Sequence, residues 1–131
     1  MIPDSSAWIE YFRRTGSAVH RRLAQALNAR EPIAVTEVVV AEVLAGAAEA
    51  RTRSVLRRTL LNFGVLPLEG LADYEEAATL FRACRSGGET LRSITDCLIA
   101  VPAIRAGMPV LHSDADFDKL ARHTALEVVE L

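Results

Sequence analysis

Ser93-Ile94-Thr95-Asp96-Cys97-Leu98-Ile99-Ala100-Val101-Pro102-Ala103-Ile104-Arg105-Ala106-Gly107-Met108-Pro109-Val110-Leu111-His112-Ser113-Asp114 carries a helix and a strand in immediate succession. The apolar spacing predicts a helix over 94–105 that stops at Gly107. A strand over 109–112 then runs into Ser113-Asp114-Ala115-Asp116-Phe117. The same alternation recurs on both sides. Met1 to Asp4 reads as a short first strand, and Ser5 or Ser6 is expected to cap a helix that stops near Gly16. A second helix is expected over 17–30, a buried strand over 32–35, and a helix capped by Thr36 that runs toward Gly46. A helix over 51–62, a strand over 65–68 and a helix over 71–84 follow, the last ended by Gly87-Gly88. A final helix and strand close the chain. Strands separated by helices require right-handed crossovers, so the expected fold class is α/β. Its form is a three-layer α/β/α sandwich around a mostly parallel central sheet. Pro102 is the local conflict, because a proline inside a helix removes one backbone bond and favours a kink.

The 131 residues suit a single domain, 1–131, with one core. Half the residues are hydrophobic, yet no apolar run approaches the roughly 20 needed to span a bilayer, so no membrane association is expected. Met1-Ile2-Pro3-Asp4 lacks the basic and apolar segments of a secretory signal, which points to the cytoplasm. Cys84 and Cys97 are too few for a disulfide framework and read as buried, reduced thiols. A net charge of -2 does not advertise a nucleic-acid binder. The cations are nearly all arginine and recur as Arg13-Arg14, Arg21-Arg22, Arg51 with Arg53, Arg57-Arg58, and Arg82 with Arg85. Such clusters suit either phosphate binding or the solvated outer faces of helices.

In an open parallel sheet, ligands bind beyond the carboxyl ends of the strands. Asp4 and Asp114 both follow strands, and Asp96 lies in the first turn of its helix. Glu42 interrupts the apolar stretch Val38-Val39-Val40-Ala41-Glu42-Val43-Leu44, where a solvated acid is unexpected. Gathered together, these carboxylates would repel one another and hold their protons, so a cluster requires a cation. All-oxygen ligands select Mg2+ or Mn2+. Each acid also fits a structural role. Asp4 and Asp114 can cap helices, and Asp96 stands three residues after Ser93 as in a capping box. Of Asp116 and Asp118, one fits a metal ligand and the other a surface charge. His20 and His123 read as surface residues, and no histidine forms a zinc pattern.

These blocks resemble the PIN-domain family and, within it, the VapC-type toxins of toxin–antitoxin pairs. Asp4-Ser5-Ser6-Ala7-Trp8-Ile9-Glu10 resembles the family's opening, an aspartate followed two positions later by a hydroxyl residue. Glu42-Val43-Leu44-Ala45-Gly46 resembles its second acid, Arg92-Ser93-Ile94-Thr95-Asp96-Cys97-Leu98-Ile99-Ala100 its third, and Val110-Leu111-His112-Ser113-Asp114-Ala115-Asp116-Phe117 its fourth. His112 departs from the pattern, standing where many members carry a threonine or serine. Pro102 also departs, since a small helix former is usual there.

The resemblance implies an endoribonuclease that hydrolyses RNA with water activated by Mg2+ or Mn2+. Asp4, Glu42 and Asp96 would hold one or two ions. Asp114, with Asp116 as second choice, would bind a second ion or orient water, Ser6 would lie in the outer shell, and Arg92 would guide the RNA backbone. The implied partners are RNA, a VapB-type antitoxin and a second copy of the chain. Trp8, Tyr11 and Phe12, or Val55 to Leu61, are candidates for the antitoxin surface or for the core. A receiver-like signalling module would also place acids and magnesium at a sheet end, but Asp4 lacks a paired acid and Lys119 is the only lysine. A non-catalytic interaction protein, with its acids serving only as caps, is the other alternative.

Overall fold

The computed structural model describes residues 1–131. Its elements run β1 (Ile2–Pro3), α1 (Ser5–Phe12), α2 (Ala18–Asn28), β2 (Ala34–Thr36), α3 (Glu37–Ala45), α4 (Ala50–Leu60), β3 (Gly64–Leu66), α5 (Leu71–Ser86), α6 (Thr95–Ala106), β4 (Val110–Leu111) and α7 (Ala115–His123). All strand pairs are parallel. Ile2 lies opposite Val110 and Pro3 opposite Leu111, while β2 and β3 pair from Ala34–Gly64 to Thr36–Leu66.

Met1 joins these two pairs. Its amino group donates to the Pro32 carbonyl at 2.8 Å, and its carbonyl accepts from the Ala34 N–H at 3.1 Å. The Ile2 and Asp4 N–H groups both point to β4, donating to the carbonyls of Pro109 and Leu111. The intervening Pro3 therefore faces β2 with a nitrogen that has no hydrogen to give, and the ladder is interrupted there. The strands thus form two parallel pairs, β1-β4 and β2-β3. With β1 packed beside β2 the order across them is β3-β2-β1-β4, and a parallel bridge from Val110 to Val128 lies on the far side of β4. Right-handed crossovers put α1 to α4 on one face and α5 to α7 on the other. Most helix contacts divide in the same way, α1 with α2 and α3, α5 with α6 and α7, while α3 and α6 also meet across the two faces. This is the expected α/β sandwich.

The core lies on both sides of the sheet, with Ile2, Trp8, Leu23, Leu60, Ile99, Leu111, Phe117 and Leu120 fully buried. Trp8 packs against Phe12 at 5.6 Å and Phe63 at 5.7 Å between ring centroids, so it belongs to the core and not to a partner surface. Cys84 and Cys97 are buried and unpaired, and burial pushes the Cys97 thiol up to about 12.

Several expectations need correcting. The cap of α1 is Asp4, not Ser5 or Ser6, because its carboxylate accepts from the Ala7 N–H at 2.9 Å. Ser93 accepts from the Thr95 N–H at 3.1 Å, which leaves Asp96 outside any capping box. β3 ends before Pro67, which cannot extend a ladder. α6 continues through the buried Pro102 to Ala106, where Gly107 takes the left-handed conformation at φ 62°. His20 and His123 are half-buried rather than surface residues. His20 Nδ1 accepts from the Gly16 N–H, and His123 contacts Glu89 at 2.8 Å. Thr36 caps α3 as expected, accepting from the Val39 N–H at 3.3 Å. No helix is long and apolar enough to cross a membrane.

Candidate metal centre

From β1 the chain steps outward to β2 and β3, then returns to place β4 on the other side of β1. The crevice beyond the carboxyl ends of β1 and β4 is thus the switch point where α/β sheets bind ligands. Asp4 leaves β1 and caps α1, while Asp114 follows β4 and caps α7. Asp96 occupies the first turn of α6 and Asp116 the first turn of α7. Three helix N-termini, with their positive dipole ends, therefore meet at one rim and offset part of the repulsion among the acids. Glu42 arrives from α3 on the opposite face.

Oxygens of Asp96, Asp114 and Asp116 all lie within 4.8 Å of one another. Glu42, Arg92, Ser93 and Thr95 complete the lining of an open cleft of about 270 Å³. Asp4 is only 3% exposed. Its Oδ1 accepts from the Ser6 hydroxyl at 2.6 Å, and that same hydroxyl accepts from the Ser113 N–H at 2.9 Å. Ser6 thus ties the β1 and β4 ends together.

The electrostatics separate the acids into two kinds. Burial, then Asp114, Asp116, Asp4 and Glu42, push Asp96 up to about 7, with no hydrogen bond to pull it back. Burial also raises Asp4 to about 6 against the bonds from Ser6 and Ala7, with Asp114 and Glu42 adding to the rise. Burial raises Glu42 as well, against the Ser5 hydroxyl and with Asp114 adding to the rise, and its Oε1 is buried with no hydrogen-bond partner. Asp116 is different. Burial pushes it up, but Lys119 at 2.9 Å and the Arg92 N–H at 3.0 Å more than reverse this and hold it below the usual range. Arg92 also bridges to Asp114.

These residues fit a divalent cation. An orphaned buried Glu42 oxygen and an Asp96 whose surroundings all oppose its charge line the same cleft, and both call for positive charge. Only Asp96, Asp114 and Asp116, and not Asp4 or Glu42, have ligand oxygens within 4.8 Å of one another.

Lys119 joins the site through Asp116 although no motif marks it. Its i,i+3 spacing from Asp116 on a helix was the signal that could have found it. Thr95 and Ser93 were legible only as neighbours of Asp96. His112 has a definite place: Nδ1 accepts from the Asp114 N–H at 3.1 Å, Nε2 lies 3.2 Å from Asp118, and the ring packs on Phe117. The imidazole thus supplies an acceptor beside the fourth acid, and Asp118 pairs with it outside the acid cluster.

Residues 1–123 match the PIN domain family. VapC ribonuclease Mb1587 of Mycobacterium bovis and ribonuclease VapC11 of Mycobacterium tuberculosis are each 47% identical to the chain over 130 residues, covering 97% of it and 96% of each relative. The solved structure of VapBC2 from Rickettsia felis, bound to a DNA fragment from their promoter, shares the fold with a TM-score of 0.75. That match covers 99% of this chain and 97% of that one at 15% identity. With the acids gathered at the switch point of such a sheet, the chain belongs to the PIN-domain family, in its VapC branch.

Proposed function

We propose that residues 1–131 act as one catalytic domain, a divalent-metal-dependent endoribonuclease that serves as the toxin of a toxin–antitoxin pair. The observation that carries this reading is the convergence of Asp96, Asp114 and Asp116 beside a buried Glu42 oxygen that has no partner. The relatives named ribonucleases supply the substrate class. Asp4, Glu42 and Asp96 would hold the ion, for which all-oxygen ligands favour Mg2+ or Mn2+. When bound, such an ion supplies Lewis-acid activation of the phosphodiester and the attacking water. Asp114 is the better fourth acid. Its Oδ1 takes the Arg92 and Asp116 bonds and leaves Oδ2 for the cleft, whereas both oxygens of Asp116 are engaged by Arg92 and Lys119. Asp116 then orients Arg92, whose side chain is 72% exposed at the cleft mouth and suits an RNA phosphate. Ser6 steadies Asp4 from the outer shell.

The natural inhibitor is a VapB-type antitoxin, since the related folds include toxin–antitoxin complexes. A hollow of about 160 Å³ between α1, α3 and α4, lined by Ile9, Phe12, Val43 and Leu56, suits an apolar helix from such a partner. The toxin would act in the cytoplasm as a homodimer within that complex. Expression of the chain and of its Asp96→Asn variant, followed by sequencing of cellular RNA 5′ ends, tests the activity. Discrete new ends in the wild type, absent from the variant, are expected. Identical end profiles from the two would remove the nuclease reading.

A further inference from the structure

We propose that the hollow at the last turns of α1, α2 and α4 is a second RNA contact, holding backbone phosphates at the end of the sheet opposite the carboxylates. The proposal rests on the ribonuclease reading and adds to it how substrate is gripped.

Position comes first. α2 and α4 lead directly into β2 and β3, so Asn28 and Thr59 in their last turns lie at the amino ends of those strands. The acids lie beyond the carboxyl ends. Two hollows meet along α4 there. One, of about 490 Å³, presents Tyr11, Arg14, His20, Asn28 and Thr59. The other, of about 500 Å³, presents Ser54, Arg57, Arg58 and Asn62. Neither is lined by a carboxylate, the nearest acid to His20 being Glu10, whose carboxylate is held by the Thr15 hydroxyl.

Charge points the same way. Residues 1–62 carry nine arginines against six carboxylates, and residues 63–131 carry six cations against eleven. Of the six carboxylates, Asp4 and Glu42 belong to the acid cluster and Glu31 is paired with Arg22 at 2.8 Å. Arg14, Arg57 and Arg58 are exposed and make no ion pair. The net charge of -2 thus conceals a basic half and an acidic half, and a polyanion repelled by the acidic half is drawn to these arginines. Arginine forks bind phosphate oxygens in pairs, while the Asn28 and Asn62 side chains add neutral donors. The rings of Tyr11 and His20, 6.0 Å apart, offer an aromatic edge to an unpaired base.

The test measures binding of a labelled RNA hairpin of about 40 nucleotides across a salt series. The protein carries Asp96→Asn, so that the probe is not cut. Arg14→Gln, Arg57→Gln and Arg58→Gln together should weaken binding at least about tenfold and reduce the slope of log affinity against log salt by about two. Manganese affinity of the wild-type background should not change, and lysines at the three positions should restore most of the slope. Unchanged affinity and slope in the triple glutamine variant would overturn the proposal. Failure of the Asp96→Asn protein to bind the hairpin would also overturn it, while 5′-end mapping of the wild type still decides the nuclease reading. A triple variant that keeps RNA but loses its antitoxin or its dimer would mark the surface as a protein interface instead.

Discussion

Asp96→Asn is expected to raise the unfolding temperature of the metal-free protein and to abolish the further stabilisation that Mn2+ gives the wild type. Burial and four neighbouring acids push Asp96 up to about 7 in the folded protein, against about 3.9 in the unfolded chain. Between those values the folded state keeps a proton that the unfolded state has released. Stability therefore falls as pH rises from about 4 to about 7, and the full cost is present above the folded value. A tenfold change in proton affinity is worth about 1.4 kcal/mol. Asp96 is half-buried and solvent screens part of the repulsion, so a neutral isostere should recover roughly 1–3 kcal/mol at about pH 8, or several degrees in a chain of this size. The wild type should gain about 2.7 kcal/mol from Mn2+ at a hundred times its dissociation constant, and the variant nothing comparable. Calorimetric melts with chelator and with Mn2+ measure both. A variant less stable without metal and equally stabilised by Mn2+ would show that Asp96 is a structural residue.

The second large effect is on pH. A cation competes with protons for Asp96, held near 7, and for Asp4, held near 6. Manganese affinity should therefore be flat above about pH 7.5, drop roughly 20-fold between about 8 and 6, and roughly 50-fold more by about 5. Glu42, also raised by burial, steepens the lower part. The fold should persist through this window. Acids with depressed values, such as Glu89 at about 2 beside Arg122 and His123, contribute stability that is lost only at lower pH. Calorimetric titrations at several pH values should also show proton release on binding. An affinity that does not change between about pH 8 and 5 would mean that these two acids do not meet the ion.

Much of this was legible in the chain because local rules and tertiary placement agree. Asp4, Asp96 and Asp114 each stand where a strand ends or a helix begins, and Glu42 stands out against a face of valine, alanine and leucine. Thr36 reads as a cap and acts as one. Other features depend on contacts that no local pattern carries. The interruption between β1 and β2 follows from which neighbour Pro3 faces, and that is fixed only when β4 takes the Ile2 and Asp4 N–H groups. Arg92 and Asp116 are 24 residues apart, so their pairing, which favours Asp114 as the freer acid, was not available from spacing. His112 departs from the family pattern, and only the turn after β4 shows that its ring accepts the Asp114 N–H. The same aromatic stretch contributes Trp8 to the core and leaves part of Ile9 exposed, a division set by packing against α3 and by Phe63.

Mn2+ titration calorimetry of a Glu42→Gln, Asp96→Asn double variant beside the wild type at about pH 7.5 tests most directly whether the carboxylates share a cation. Outer partners of a metal site typically contribute about 10–100-fold in affinity, so loss of two direct ligands should exceed that and leave no saturable binding. Wild-type affinity and stoichiometry retained in the double variant would contradict a shared metal centre at the β1 and β4 rim.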